Sequence, residues 1–353
     1  MKKLLTLALA AAMALSLTAC GGGNSGSNAG TPSGGSSAGG SAAAPSGGSS
    51  GQTYELKLST NLADDHIACQ GYYGLAEAVE AATDGQVTIV VYPGEQMGKE
   101  SDVTSSVSMH ANTTDIVTCG PAELSKYNPA FSLFDAPYIF SSSDSMVAFA
   151  NSDDIQPLYD ELAASSNLRV LGMYYYGSRE VTVKGYAATN PDGLKGCKLR
   201  VPDAEIALAY GEALGATPTV MSLGEVYMGI QQGVVDGQEN PLPTINANAF
   251  YEVCDNLLMT DHVIAAVTIT IDDQTWQSMP ADLQEKVLTC VQDTCNKITD
   301  DIQAQEAELK TAMAEHGMNV VEVDKEAFKA NCAPIYEKYA GTWGEWYDVA
   351  QKF

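Results

Sequence analysis

The chain has 353 residues, 45% of them hydrophobic, and it carries 44 Asp and Glu against 18 Lys and Arg, for a formal net charge of −26. A surface this acidic repels phosphate backbones and anionic headgroups, so nucleic acid and anionic membrane are poor partners. The apolar fraction is enough for one large or two medium cores.

Met1-Lys2-Lys3 and an apolar run from Leu4 to Leu17 read as a secretory signal peptide over residues 1–19. The run is shorter than the roughly 20 residues a membrane-spanning helix needs, and polar sequence follows at once. Leu17-Thr18-Ala19-Cys20 resembles a bacterial lipobox, which implies cleavage before Cys20 and a lipid on its thiol. Residues 20–52 then supply almost only Gly, Ser, Ala, Asn, Thr and Pro after that cysteine. Such a segment cannot bury a core and is expected to be a disordered tether. Its Gly-x-Gly matches are compositional.

Alternation at Tyr54 to Thr60 predicts a strand, and the periodicity from Ile67 to Ala82 a helix. Val87 to Tyr92 and Asp115 to Cys119 read as strands around a helix from Lys99 to about Met109. Asp144 to Ala164 reads as a helix in two pieces, because Pro157 falls inside it. Leu168 to Tyr174 reads as a buried strand. A second series follows: strands at Glu180 to Lys184, Lys198 to Val201 and Gly237 to Glu239, and helices at Ala204 to Leu214, Gly224 to Gln232 and from Pro241. Ala265 to Ile271 returns as a strand, and long helices are expected from Pro280 to His316 and from Lys325 onward. Strand and helix alternate, which predicts an α/β fold with largely parallel strands.

The only arginines are Arg169, Arg179 and Arg200. In so acidic a chain they point to a shielded anion site, since a guanidinium can give one carboxylate two parallel hydrogen bonds. Spacing alone leaves open the alternative of ordinary surface arginines that happen to cluster. Beyond Cys20 the cysteines are Cys69, Cys119, Cys197, Cys254, Cys290, Cys295 and Cys332, an odd number with no Cys-x-x-Cys, expected as small buried hydrophobes. His66, His110, His262 and His316 lack metal-ligand spacing. No nucleophile elbow, Walker lysine loop or zinc-protease motif occurs in the globular part. The pairs Asp64-Asp65, Asp153-Asp154, Asp272-Asp273 and Asp300-Asp301 read mostly as turn and helix-start carboxylates. Nothing calls for catalysis, a cofactor or a metal.

Four blocks in order carry a resemblance: Leu194-Lys195-Gly196-Cys197-Lys198-Leu199-Arg200-Val201-Pro202, Leu214-Gly215-Ala216-Thr217-Pro218, Gly224-Glu225-Val226-Tyr227 and Val235-Asp236-Gly237-Gln238-Glu239-Asn240-Pro241. Together with Phe134-Asp135-Ala136-Pro137-Tyr138 and Met279-Pro280-Ala281-Asp282-Leu283-Gln284, they resemble the DctP-type solute-binding subunits of tripartite ATP-independent periplasmic (TRAP) transporters. The resemblance implies two α/β lobes hinged around a cleft, with a long helix spanning both. Lobe I would take residues 53–176 and 266–305, and lobe II residues 177–265 and 306–353. It implies an extracytoplasmic, lipid-anchored monomer that closes on a carboxylated small molecule and delivers it to a small and a large membrane subunit. A sugar acid or hydroxy acid is favoured, with a C4-dicarboxylate as the alternative ligand. A ligand-sensing role for a receptor is a rival class, and a secreted hydrolase the weakest.

By motif, Arg200 is similar to the family's principal carboxylate-binding arginine, Arg179 to a second cleft arginine, and Asn240 to the amide that completes the clamp. Asn61 aligns with an N-terminal ligand contact, and His66 lies close enough to contribute. Three positions depart from the pattern. Gly120 stands where sialic-acid binders of the family place a glutamate, Leu223 where an aromatic is frequent, and Asp203 where asparagine or serine is common. A carboxylate at Asp203 is expected to favour hydroxyl or ammonium groups and to repel a second carboxylate. Arg169 has no counterpart and is expected to be structural.

Overall fold

The computed structural model describes residues 52–353, so the expected signal peptide, Cys20 and nearly all of the expected tether lie outside the described residues. Ten strands are present: β1 (Tyr54–Thr60), β2 (Val87–Tyr92), β3 (Ile116–Cys119), β4 (Leu168–Val183), β5 (Lys198–Val201), β6 (Thr217–Val220), β7 (Gly237–Pro241), β8 (Asn256–Met259), β9 (Ile264–Asp272) and β10 (Asn319–Glu322). They connect in the order β2-β1-β3-β9-β4-β7-β5-β6, with β8 added to β4 and β10 to β8. The helix-linked neighbours β1-β2, β1-β3, β5-β6 and β5-β7 are parallel, as the alternation of strand and helix predicts.

Strand β4 departs from expectation. Two strands were predicted over 168–174 and 180–184, but the structure has one of 16 residues. Its first part, Leu168 to Ser178, pairs antiparallel with β9, and Arg179 to Val183 pairs with β7 on one side while Val181 to Val183 pairs with β8 on the other. One strand therefore belongs to both halves of the sheet. The apparent break at Tyr175 to Arg179 is a β-bulge at Gly177, whose φ of +120° only glycine adopts readily. A Cβ there would lie 2.5 Å from Pro241 Cβ.

The 35-residue helix Ala281–Glu315 is about 52 Å long at 1.5 Å per residue. It lies close against β4 at Gly172, where a Cβ would come within 2.8 Å of Cys295 Sγ. Asp300 and Asp301 sit in the middle of this helix, unlike the other three Asp pairs, and Asp301 pairs with Lys297 one turn away. The helix Lys325–Trp343 returns to the first half, where Trp343 Nε1 donates to Ser132 Oγ at 3.0 Å. Phe134 and Phe149 pack there with ring centroids 5.1 Å apart, each worth about 1.5–3 kcal/mol of burial.

Three short strands escaped the sequence patterns. The four-residue β6 contains Pro218 and is an edge strand, where the missing N–H costs nothing. Strands β8 and β10 are also four residues each, too short to display a period. The seven cysteines among the described residues are free, and all but Cys290 are buried, as expected. Arg169 is structural, pairing with Asp273 and, at 3.9 Å, with Asp160. Among the described residues no helix is long and apolar enough to cross a membrane, and no cluster has the makings of a metal site.

Candidate functional site

Strand β5 alternates its side chains so that Leu199 and Val201 enter the core while Arg200 turns toward a cavity of about 300 Å³. That volume is at the small end for a ligand site. Arg200 is only 5% exposed, and its Nε donates to the Met221 carbonyl at 2.8 Å. No oxygen among the described residues accepts from its two terminal nitrogens, which leaves the fork open to the cavity. Burial pushes its pKa down, and the attraction of Glu239 offsets this only in part. A buried cation without a partner is costly, and an anion placed on it removes that cost.

Arg179 lines the same cavity but is already engaged. It follows the β4 bulge, and its Nε and Nη2 both donate to the Glu239 carboxylate, Nη2 at 2.9 Å. Nη2 also donates to the Glu239 carbonyl at 2.8 Å and to Asn240 Oδ1 at 3.3 Å. Tyr210 OH donates to Glu239 at 3.2 Å, and His262 Nε2 lies 3.3 Å from it. Burial opposes the charge on Glu239, yet Arg179 and then His262 hold its carboxyl down at about 2. The Arg179–Glu239 pair is thus close to electrically neutral, and Arg200 carries the uncompensated positive charge. Asn240 also faces the cavity, with one N–H donating to Gln238 Oε1 at 2.5 Å.

The wall from the first half of the sheet is acidic. Asn61 Nδ2 donates to Glu100 Oε2 at 2.8 Å, and the Gly120 N–H donates to Glu100 Oε1 at 3.0 Å. Burial pushes the Glu100 carboxyl up to about 7, with repulsion from Glu123 adding to it. Gly120 leaves the place after β3 without a side chain, and Glu100 brings a carboxylate against it from the helix Glu100–Ser108. Asp135 is 6% exposed and its Oδ2 has no partner among the described residues. Its carboxyl is raised by burial to about 7 despite the pull of Arg179. Asp203, on the opposite side, is bridged by Lys126 Nζ at 2.8 Å. Leu223, 6% exposed, completes that side.

Seven of the eight expected contact residues therefore share one cavity: Arg200, Arg179, Asn240, Asn61, Asp203, Leu223 and Gly120. His66 does not reach it. It caps the helix Ile67–Ala82, with Nδ1 accepting from the Ala68 N–H at 3.1 Å, and its ring stacks on Tyr176. Burial lowers its pKa to about 3, so it is a neutral cap, as helix-start histidines can be. Glu100, Glu123, Asp135, Tyr210 and Glu239 were not anticipated as site residues. Glu239 had a signal, since an acidic residue in a short buried strand needs a buried partner. Glu100 had none, because an acid in a first helical turn already has a use.

Residues 58–342 match the family described as bacterial extracellular solute-binding protein, family 7 (DctP). The sialic acid-binding periplasmic protein SiaP of Vibrio cholerae is 32% identical over 271 residues, 77% of this chain and 84% of that protein. A TRAP periplasmic solute binding protein from Roseobacter denitrificans, solved with bound 3-deoxy-D-manno-oct-2-ulosonic acid, superposes with a TM-score of 0.80 at 27% identity, covering 85% of this chain and 98% of that one. A second from the same species, solved with bound L-galactonate, gives 0.79 at 28% identity with the same coverage.

Proposed function

Because the chain belongs to family 7 of the bacterial extracellular solute-binding proteins, the TRAP type with its two-lobed α/β fold, we propose that it captures a hydroxylated monocarboxylate, in the sugar-acid class, at Arg200. The observation that carries this reading is the buried Arg200 fork, open to a small cavity and unpaired there. Asn240 and the remaining nitrogen of Arg179 complete the carboxylate site, and the acidic wall meets hydroxyl donors. Two similar proteins, solved with 3-deoxy-D-manno-oct-2-ulosonic acid and with L-galactonate, support the ligand class. The role is transport by delivery to the two membrane subunits, without catalysis.

Capture proceeds by closure of two lobes that divide near Gly177 and Ala265, where β4 bulges against β9. Closure excludes water, which strengthens charge-assisted bonds to the buried carboxylate. The mature protein is anchored through lipid on Cys20. Cys20→Ser should move it from the detergent phase to the aqueous phase on detergent partition, and unchanged partition would remove the anchor from the reading.

The test of capture is thermal denaturation with aldonates, uronates, 2-oxo acids, dicarboxylates and amino acids. A ligand at 100 times its Kd adds about 2.7 kcal/mol of stability. Arg200→Ala should abolish the shift, since truncating one partner of a buried charge pair costs roughly 2–5 kcal/mol. A variant that binds every hit as well as the parent would sink the assignment.

A further inference from the structure

Glu123 follows β3 on the short helix Pro121–Leu124 and is 7% exposed, yet its two carboxylate oxygens are treated differently. Oε2 is held by Lys126 Nζ at 2.8 Å. Oε1 is buried and has no hydrogen-bond partner among the described residues, and Glu123 is one of the residues that line the cavity. Orphaned buried oxygens are rare in folded proteins, and a binding site is where one is tolerated. Asp135 Oδ2 is a second orphan on the same wall.

From this geometry we infer that Glu123 is a specificity-determining residue, which accepts a hydrogen bond from a hydroxyl or ammonium terminus of the captured acid and rejects acids that carry a second carboxylate there. The inference rests on the capture of one carboxylate at Arg200. Hydroxyl and ammonium both donate to a carboxylate oxygen, whereas a ligand carboxylate brings only acceptors and a like charge. Glu100 stands close enough to Glu123 to repel it, so a second anionic group meets two carboxyls on that wall.

Asp203, from which this selectivity was expected, is a weaker agent. Its side chain is 64% exposed and its charge is already bridged by Lys126. Solvent and the ammonium screen it from the ligand. Lys126 also turns Glu123 so that Oε1, and not Oε2, is the free acceptor.

The experiment is calorimetric titration with three acids that share a carbon chain and differ only at its far end: D-galactonate, 6-amino-6-deoxy-D-galactonate and galactarate. The first two should bind, and galactarate should bind about a hundredfold more weakly. Glu123→Gln should shrink that gap to less than about tenfold, while Asp203→Asn should leave it nearly unchanged. Equal affinity for galactonate and galactarate in the parent, or an unaltered gap in Glu123→Gln, overturns the inference. If that happens while Arg200→Ala still abolishes galactonate binding, capture at Arg200 stands and only the role of Glu123 falls. Failure of all three acids to bind removes the sugar-acid reading and this inference with it.

Discussion

Lys126 joins stretches of chain 77 residues apart, with Nζ 2.8 Å from Asp203 Oδ2 on one side of the cavity and 2.8 Å from Glu123 Oε2 on the other. Lys99 makes a similar crossing to Glu225 at 3.0 Å. Both pairs tie the segments around β2 and β3 to those after β5 and β6, across the cavity that Lys99, Glu123, Asp203 and Glu225 line. Exposed pairs are worth about 0–1 kcal/mol each and are screened by salt.

The double variant Lys99→Met with Lys126→Met should therefore favour a more open unliganded form. Small-angle scattering should record a larger radius of gyration than in the parent, and molar salt should shift the parent in the same direction. An identical radius in variant and parent would show that these bridges do not hold the mouth.

Arg200 and Glu239 should respond oppositely to removal. Arg200→Met takes away a buried, unpaired charge while keeping much of the volume, so the unliganded protein should be as stable or up to about 4 kcal/mol more stable, although binding is lost. Glu239→Ala strands the Arg179 guanidinium and should cost about 3–5 kcal/mol. Urea denaturation of both variants checks the contrast. A large loss of stability in Arg200→Met would mean that its fork is structurally used.

Two carboxyls should leave separate marks on stability against pH. Glu239 is held down at about 2, so its contribution is complete above its ordinary value near 4.5 and is lost as pH falls from there toward 2. Asp135 is raised to about 7, so the folded state keeps a proton that the unfolded chain releases near pH 4. Its charging penalty grows as pH rises from about 4 to 7, on the order of 4 kcal/mol. Stability of the parent relative to Asp135→Asn should fall across that window, as read by denaturant melts at successive pH values, and a flat difference would contradict the assignment.

Gly177→Ala should be destabilising by more than about 1 kcal/mol, because the new Cβ would lie 2.5 Å from Pro241 and the φ of +120° excludes alanine. A thermal melt checks it. A wild-type melting temperature would mean that the bulge relaxes freely.

Much of the fold was legible because its elements announce themselves locally. The division at Pro157 appears as helices Ser143–Ala150 and Gln156–Ser166, with the proline in the first turn of the second. The long helix ends within a residue of its expected limits. What was not legible depends on partners distant in sequence. The run from Tyr175 to Arg179 continues β4 only because β9 is there to pair with it. The cavity shows the same limit. Arg200 and Arg179 were found from motif, but nothing local distinguishes the open fork of one from the Glu239-bound fork of the other. Likewise Asp203 stands three residues after Arg200, and nothing in its own stretch of sequence announces the Lys126 ammonium that holds it.

Strand β4 runs without a break through both halves of the sheet, pairing with β9 before Arg179 and with β7 and β8 after it. Neither half is consequently a module that can be excised: a fragment ending before residue 179 would leave β3 and the first part of β4 without β9, and one beginning there would leave β9 with neither of its neighbours. A sheet joined through one continuous strand should come apart as one, in a single cooperative transition, and its halves can be inherited only together.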